Sequence, residues 1–249
     1  MIGDEILSGK FVEQNAAFLL QVLARCGVRA RRVVVIADDH NEIVTTVRAA
    51  VATYDWVFTS GGIGPTHDDK TIDAVAEALG EPVIEHPALR AALEAHFGPA
   101  MAPANLRLAR VPRGVTLQWG DGAAWPVLQC RQVFILPGVP AYFRKQVAMV
   151  QHLLQGAPPW SARLYVSCDE GELAGALTAI AQAHQEVAIG SYPRFEATAF
   201  RVILTFEGGA PGPVADAWEA ARTALRRFVV AATAVSQAST GGLDDTLPL

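Results

Sequence analysis

Carboxylates recur in adjacent pairs along the first seventy residues of this chain: Asp4-Glu5, Asp38-Asp39 and Asp68-Asp69. The third pair lies in the stretch Thr59-Ser60-Gly61-Gly62-Ile63-Gly64-Pro65-Thr66-His67-Asp68-Asp69-Lys70-Thr71. A glycine loop that runs into a helix turns bare backbone N–H groups and a positive helix end toward one ligand. Glycines let that ligand approach the backbone and permit the positive φ values of a tight loop. Asp at a helix start suits the dipole but repels a phosphate in the same place. A divalent cation between Asp68 or Asp69 and the phosphate would resolve the conflict. The plainer alternative is that one Asp caps the helix and the loop merely turns.

The loop follows an apolar run, Trp56-Val57-Phe58, that reads as a buried strand. A helical pattern comes after it, with Ile72, Val75, Ala76 and Leu79 on one face and Gly80 closing it. Upstream, Met1 and Ile2 are the end of a strand, too short against the usual ~5–6 residues. Either the chain starts short of its native beginning or the sheet tolerates a stub. Asn15 is placed to cap a helix with Leu19, Val22, Leu23 and Cys26 on one face and Gly27 at its end. Val33 to Ile36 reads as a strand covered on both sides and runs into Asp38-Asp39. Ile43, Val44, Val47 and Val51 form the next helix face. Strand and helix alternate, which predicts a doubly wound parallel sheet. Ligands of such sheets sit outside the carboxyl ends of the strands, so all three acidic pairs point to one edge.

Farther on, Pro87 opens a helix with Leu89, Leu93 and Phe97, ended by Gly98-Pro99. Residues 100–130 are irregular, with Leu117-Gln118-Trp119 as a strand and Gly120-Asp121-Gly122 as a turn. Gln132 to Leu136 is a strand. Pro137-Gly138-Val139-Pro140 then forms a second loop entering a helix with Phe143, Val147, Val150 and Leu154. Gly156-Ala157-Pro158-Pro159 reads as a linker. The expected division is an α/β domain over 1–155, a small α+β domain over 160–232 and a tail over 233–249. Within the second domain the strands are Leu164–Ser167, Val187–Ile189 and Phe200–Phe206. Asp169 and Glu172 have capping-box spacing at one helix start. Val214, Trp218, Ala221, Leu225 and Phe228 face one side of a closing helix.

Composition narrows the classes. Of 249 residues, 51% are apolar and 18% charged, and the net charge is −5, with no basic run to recruit nucleic acid or an anionic membrane. No apolar run approaches the ~20 residues that cross a bilayer, and no secretory signal pattern opens the chain. Cys26, Cys130 and Cys168 have no metal-type spacing and read as buried thiols of a reducing cytoplasm.

Taken in order, Gly3-Asp4-Glu5-Ile6-Leu7-Ser8-Gly9, Asn15, Asp38-Asp39, Gly61 to Thr71 and Leu136-Pro137-Gly138-Val139-Pro140 resemble one family. It is the molybdopterin-binding-like family that includes the amino-terminal domain of competence/damage-inducible protein A. The resemblance spans roughly residues 1–155. The rest, especially Ile189-Gly190-Ser191-Tyr192-Pro193, is similar to the extension of stand-alone members and to the equivalent domain fused to eukaryotic FAD synthases. The resemblance implies a three-layer α/β/α fold with a mostly parallel sheet. It implies a phosphorylated pterin such as molybdopterin, or a dinucleotide-like ligand, on Gly3, Asp4, Glu5, Ser8, Asn15, Ser60, Gly61, Gly62, Gly64, Pro65, Thr66, Thr71, Gly138 and Pro140. In the molybdenum-cofactor branch the matching acids serve molybdopterin adenylylation or its Mg²⁺. In the competence-damage branch the pocket is associated with metal-dependent hydrolysis of ADP-ribose, FAD or similar pyrophosphates, and the paired Asp68-Asp69 are closer to that branch. Residues 119–130 depart from the pattern, lacking an Asn-Pro and a Gly-Thr-Ala-type signature.

Two functions from different classes follow. In a metal-dependent nucleotide pyrophosphatase, Gly61, Gly62 and Gly64 cradle phosphate. Asp68 and Asp69 hold Mg²⁺, Mn²⁺ or Co²⁺, Asp38 or Asp39 is the base, and Asp69 belongs to the catalytic set. Thr66 and Ser8 would hydrogen-bond phosphate oxygens, and Asn15 would orient the loop. In a non-catalytic molybdopterin- or nucleotide-binding protein the same cradle serves without turnover. A homo-oligomer is expected. His67 reads as solvated, His40 as a tuner of Asp39 or a bystander, and Lys70 as a cation for phosphate. Tyr192 and Arg194 are placed for packing, a partner subunit or a substrate base. Trp119 and Trp125 are placed for stacking or surface packing.

Overall fold

The computed structural model describes residues 1–195 and 199–237. Two compact units divide the chain. The first comprises Met1–Val22 and Ala30–Leu154, the second Leu23–Arg29 and Gln155–Leu249.

The first unit is built on four strands, β1 (Val57–Ser60), β4 (Thr116–Gln118), β5 (Val127–Cys130) and β6 (Val133–Leu136), ordered β1-β6-β5-β4. β1 and β6 are parallel, with Phe58 beside Phe134, whereas β5 and β4 add antiparallel pairs on the far side of β6. On the near side the chain start extends the parallel part. The Ile2 amide donates to Ser60 O at 2.9 Å, and Ile2 bridges Ile36 in parallel. Two further strands, β2 (Val83–Glu85) and β3 (Arg110–Pro112), form a separate antiparallel ribbon.

Alternation of β6 side chains separates two cores. Val133 and Ile135 join Ile2, Ile36 and Leu128 in packing on helices α3 (His40–Val51), α4 (Thr71–Leu79) and α5 (Pro87–Phe97). On the opposite face Phe134 stacks on Phe58 at 5.1 Å between ring centroids. Two more helices complete the layers, α2 (Asn15–Arg25) and α6 (Pro140–Val150), with Phe18 and Phe143 meeting edge to face. The architecture is α/β, as the sequence implied, with an antiparallel margin that hydrophobic alternation did not announce.

Several local expectations need correction. Val33 to Ile36 is not a regular strand. Only Ile36 bridges, because its neighbour is the two-residue stub, and Val33 and Val35 are exposed rather than covered on both sides. Asp4–Leu7, just past the strand stub, forms the helical turn α1. Asn15 does not cap α2: the Glu13 carboxylate accepts the amides of Asn15 and Ala16 instead, which frees the Asn15 carboxamide. Neither Asp68 nor Asp69 caps α4, whose N-cap is Lys70 without a side-chain bond. The helix after Pro140 ends at Val150 and is followed by a 3₁₀ turn, Gln151–Leu153.

The second unit carries β7 (Trp160–Val166), β8 (Ala188–Pro193), β9 (Val202–Gly208), β10 (Val229–Ala232) and β11 (Ser236–Gln237), all antiparallel. Ala162, Leu164 and Val166 of β7 pack with β9 against α7 (Glu170–Ala183) and α8 (Pro211–Ala224). Asp169 and Glu172 form the capping box that their spacing predicted. The closing helix ends at Ala224, short of Phe228. Thr233 and Ser236–Gln237, expected in the tail, are tied to β7. Residues 238–249 of that expected tail lie outside the described residues.

Candidate functional site

At Gly61 and Gly62 the glycine loop is shaped by contacts that leave no room for a side chain. Gly61 has φ +105°, and a Cβ on it would lie 2.1 Å from the carbonyl oxygen of Ile2. Its amide donates to Leu136 O, which joins the ends of β1 and β6. Gly62 has φ +64°, and a Cβ there would lie 2.4 Å from Thr71 Oγ1 and 3.5 Å from Asp38 Oδ1. Asp38 therefore borders the loop, although twenty-four positions separate the two residues in sequence. The Thr71 hydroxyl donates to Gly61 O at 2.8 Å and its amide to Gly62 O at 2.9 Å, so α4 starts by pinning the loop.

Between those pins, the amides of Gly62, Ile63 and Gly64 donate to no protein acceptor among the described residues. Three consecutive unpaired N–H groups are a built set of donors for an anion. The turn beyond is closed by Asp69, whose Oδ2 accepts from the Thr66 amide at 2.9 Å and from the Thr66 hydroxyl. Arg107, on the 3₁₀ segment Pro103–Ala109, donates to Asp69 O at 3.3 Å. Nothing in its local sequence marks that contact.

The second loop is locked to the first by Asn15. Its Nδ2 donates to Ser60 Oγ at 3.0 Å and to Gly138 O at 2.8 Å, while Ser60 Oγ donates to Pro137 O at 3.1 Å. Asn15 is only 5% exposed, and its Oδ1 has no partner. A Cβ on Gly138 would stand 3.2 Å from Gly61 Cα. Asn15, Ser60 and Thr71 are thus buried and bonded behind the loop, and Asn15 ties the loop ends together, in keeping with the loop-orienting role expected of it. Gly3 is likewise buried, its amide donating to Ile36 O. The Ser8 hydroxyl donates to Glu5 O, and Pro140 stands exposed at the first turn of α6.

The acids separate into distinct roles. Asp4 N donates to Asp38 Oδ2 at 2.9 Å, and Asp38 N donates to Asp4 Oδ1 at 3.3 Å. Asp39 caps α3 by accepting the Glu42 amide at 2.9 Å, so Asp38 is the member of that pair that meets the other acids. Burial pushes the Asp38 carboxyl up from its ordinary value. The Asp4 amide opposes that shift, and the nearby charges of Asp4, Glu5 and Asp68 add to it. Lys70, expected on phosphate, instead donates from Nζ to Asp38 O at 2.7 Å. His40 meets Glu77 at 2.8 Å, and His67 is exposed, as expected. Tyr192 and Arg194 belong to the second unit.

A sheet with a parallel side, a glycine loop pinned by a helix start and acids at the strand ends define a molybdopterin-binding-type α/β protein. Residues 1–155 match the family described as "Probable molybdopterin binding domain", and the chain belongs to that family. Residues 158–234 match "FAD synthase, middle domain". The chain is 32% identical over 258 aligned positions to a "Probable FAD synthase" of Caenorhabditis elegans, covering 92% of this chain and 49% of that protein. It is 30% identical over 205 positions to a "CinA-like protein" of Myxococcus xanthus, covering 76% of this chain and 49% of the relative. The chain thus spans about half the length of these relatives. Among solved structures it is similar to CinA, a protein of unknown function from Thermoplasma acidophilum. The TM-score is 0.57 with 32% identity, over 62% of this chain and 95% of the other. No helix among the described residues is long and apolar enough to cross a membrane.

Proposed function

We propose that residues 1–155 bind a nucleotide diphosphate on the glycine loop and hydrolyse it with a divalent cation, as a nucleotide pyrophosphatase acting on ADP-ribose, FAD or a related ligand. The observation that carries the reading is the row of unpaired amides at Gly62, Ile63 and Gly64, bordered by the Asp38 carboxylate. Those amides would hold non-bridging phosphate oxygens. Asp38, with its raised proton affinity, would hold a water and accept its proton. The water oxygen bonds to phosphorus, the bridging P–O bond breaks, and the leaving phosphate keeps the electron pair.

The donor set suits a hard cation: Asp38 is crowded by the charges of Asp4, Glu5 and Asp68, and a cation relieves that repulsion. Asp68 would hold Mg²⁺, Mn²⁺ or Co²⁺ near enough to relieve that crowding, which leaves the Asp38 carboxylate for the water. Asp69 would join Asp68 only by leaving Thr66, to which it is bonded. The cation would supply charge neutralisation at the phosphoryl oxygens.

A second reading, a molybdopterin or nucleotide binder without turnover, is favoured by a different observation. Among the described residues, no three His, Cys, Asp or Glu side chains converge as a ready metal cage. A ligand's phosphates would have to complete the cation's coordination, as they commonly do for Mg²⁺.

The test is AMP release from ADP-ribose or FAD with each metal in turn, with Asp38→Ala as control. Metal-dependent AMP that the variant no longer forms supports the hydrolase. Calorimetric binding of nucleotide or pterin, with no product after long incubation, replaces it by the binder.

A further inference from the structure

We infer that Lys70 and Arg107 supply the standing positive charge of the anion seat, acting through space on a diphosphate held by the free amides. The inference rests on the nucleotide-binding reading above. Both side chains are half-buried, and neither reaches a carboxylate among the described residues. Each donates instead to a main-chain oxygen: Lys70 Nζ to Asp38 O at 2.7 Å, and Arg107 Nη2 to Asp69 O at 3.3 Å.

That choice of partner runs against the surroundings. Acids crowd this edge, and a half-buried cation among them ordinarily pairs with one. Arg110, three positions beyond Arg107, shows the ordinary outcome by pairing with Asp73 at 2.7 Å. Lys70 is also the N-cap of α4, where a positive charge opposes the helix dipole. Both arrangements cost stability, and an anion on the amides would offset the cost.

The two cations belong to opposite ends of the row of free amides. At the Gly62 end, Asp38 Oδ1 lies 3.5 Å from where a Cβ would stand, and Lys70 holds the main chain of that Asp38. The residue after Lys70, Thr71, donates its amide to Gly62 O at 2.9 Å. At the Gly64 end, Asp69 Oδ2 lies 2.7 Å from the corresponding point, and Arg107 holds the main chain of that Asp69. The Arg110–Asp73 pair ties the segment carrying Arg107 to the first turn of α4. A carboxylate partner would cancel either charge, whereas a carbonyl fixes the side chain and leaves the charge intact. A half-buried charge is also screened less than one in open solvent, so it acts over several ångströms without touching the ligand.

The test is calorimetric binding of inorganic pyrophosphate to the full chain at saturating Mg²⁺ and at two salt concentrations. Lys70→Met and Arg107→Met should each bind roughly tenfold more weakly than wild type in about 0.05 M NaCl, and within about threefold of it in about 1 M, because salt screens a charge acting at a distance. Lys70→Arg and Arg107→Lys keep the charge and should stay within about threefold of wild type at low salt. Lys70→Gln and Arg107→Gln keep a donor without the charge, carry the same expectation as Met, and serve if a Met variant fails to fold. Equal weakening at both salt concentrations overturns the inference, since the side chain then acts only by fixing the main chain. A charge-keeping variant as weak as its Met counterpart also overturns it. Unchanged affinity in the charge-free variants overturns it too and leaves the amide cradle standing. Wild type that binds neither pyrophosphate nor ADP-ribose ends both.

Discussion

Asp4 and Asp38 clasp one another through their backbones: each carboxylate accepts the other residue's amide, at 2.9 and 3.3 Å. Two like-charged side chains are thereby fixed side by side next to Gly62, an arrangement that repulsion alone would scatter. Asp38→Ala should cost about 1 kcal/mol, the size of one lost hydrogen bond, in urea denaturation. Its Mg²⁺-dependent AMP release from ADP-ribose should fall at least tenfold. Asp38→Asn keeps an acceptor for the Asp4 amide, so it should hold its stability while losing that activity.

The same carboxyl group sets a pH dependence. Its folded pKa is raised, so the folded chain holds the proton more tightly than the unfolded chain. That contribution is fully present below the unfolded value of about 4 and is lost as pH rises through the higher folded value. Denaturant titrations at stepped pH should show wild type losing stability relative to Asp38→Asn across this acidic window. A difference that stays flat, or grows in favour of wild type, would refute the burial argument.

Gly61 and Gly64 should respond differently to alanine. At Gly61 the added methyl meets the Ile2 carbonyl at 2.1 Å in a backbone with φ +105°, so the main chain itself must move. A loss of roughly 3 kcal/mol is expected from strain of this kind. At Gly64 the nearest atoms to the methyl belong to the Asp69 side chain, 2.7 Å away, which can rotate off. Gly64→Ala should fold near wild-type stability with the Thr66–Asp69 contact weakened, visible as faster amide exchange at Thr66.

Asn15→Ala removes two hydrogen bonds that join the ends of β1 and β6, and leaves Gly138 O without its donor. The expected cost is about 2 kcal/mol in thermal or urea unfolding. Asn15→Asp should be worse at neutral pH, because a carboxylate oxygen would then face the Gly138 carbonyl. Raising stability by acidifying Asn15→Asp would confirm that charge, rather than shape, is at fault.

Elements with a strong local period were legible in the sequence. The apolar faces of Thr71–Leu79 and Pro87–Phe97, and the Asp169/Glu172 capping box, follow from spacing alone. Short elements that exist only through distant pairing were not. Val83–Glu85 and Arg110–Pro112 are three residues each, and Val127–Cys130 is a strand because Val133–Leu136 lies beside it. At the site, the glycine loop and the acids stood out by type. Which acid meets the loop did not, since Asp38 and Asp39 are adjacent and only the start of α3 separates their roles. Asn15 showed the opposite failure. Local spacing makes Asn15 a helix cap, whereas its bonds run 45 and 123 positions along the chain.

At Gly61 three stretches of backbone come together, with the Ile2 carbonyl on one side and Gly138 on another. A change at any one of these positions therefore confronts main chain that a rotamer cannot clear. Diversification aimed at new ligands has little freedom at residues 61 and 138 and much more at the solvent-facing turn 66–68. A redesigned specificity would keep the innermost backbone crossing and vary the outer lip.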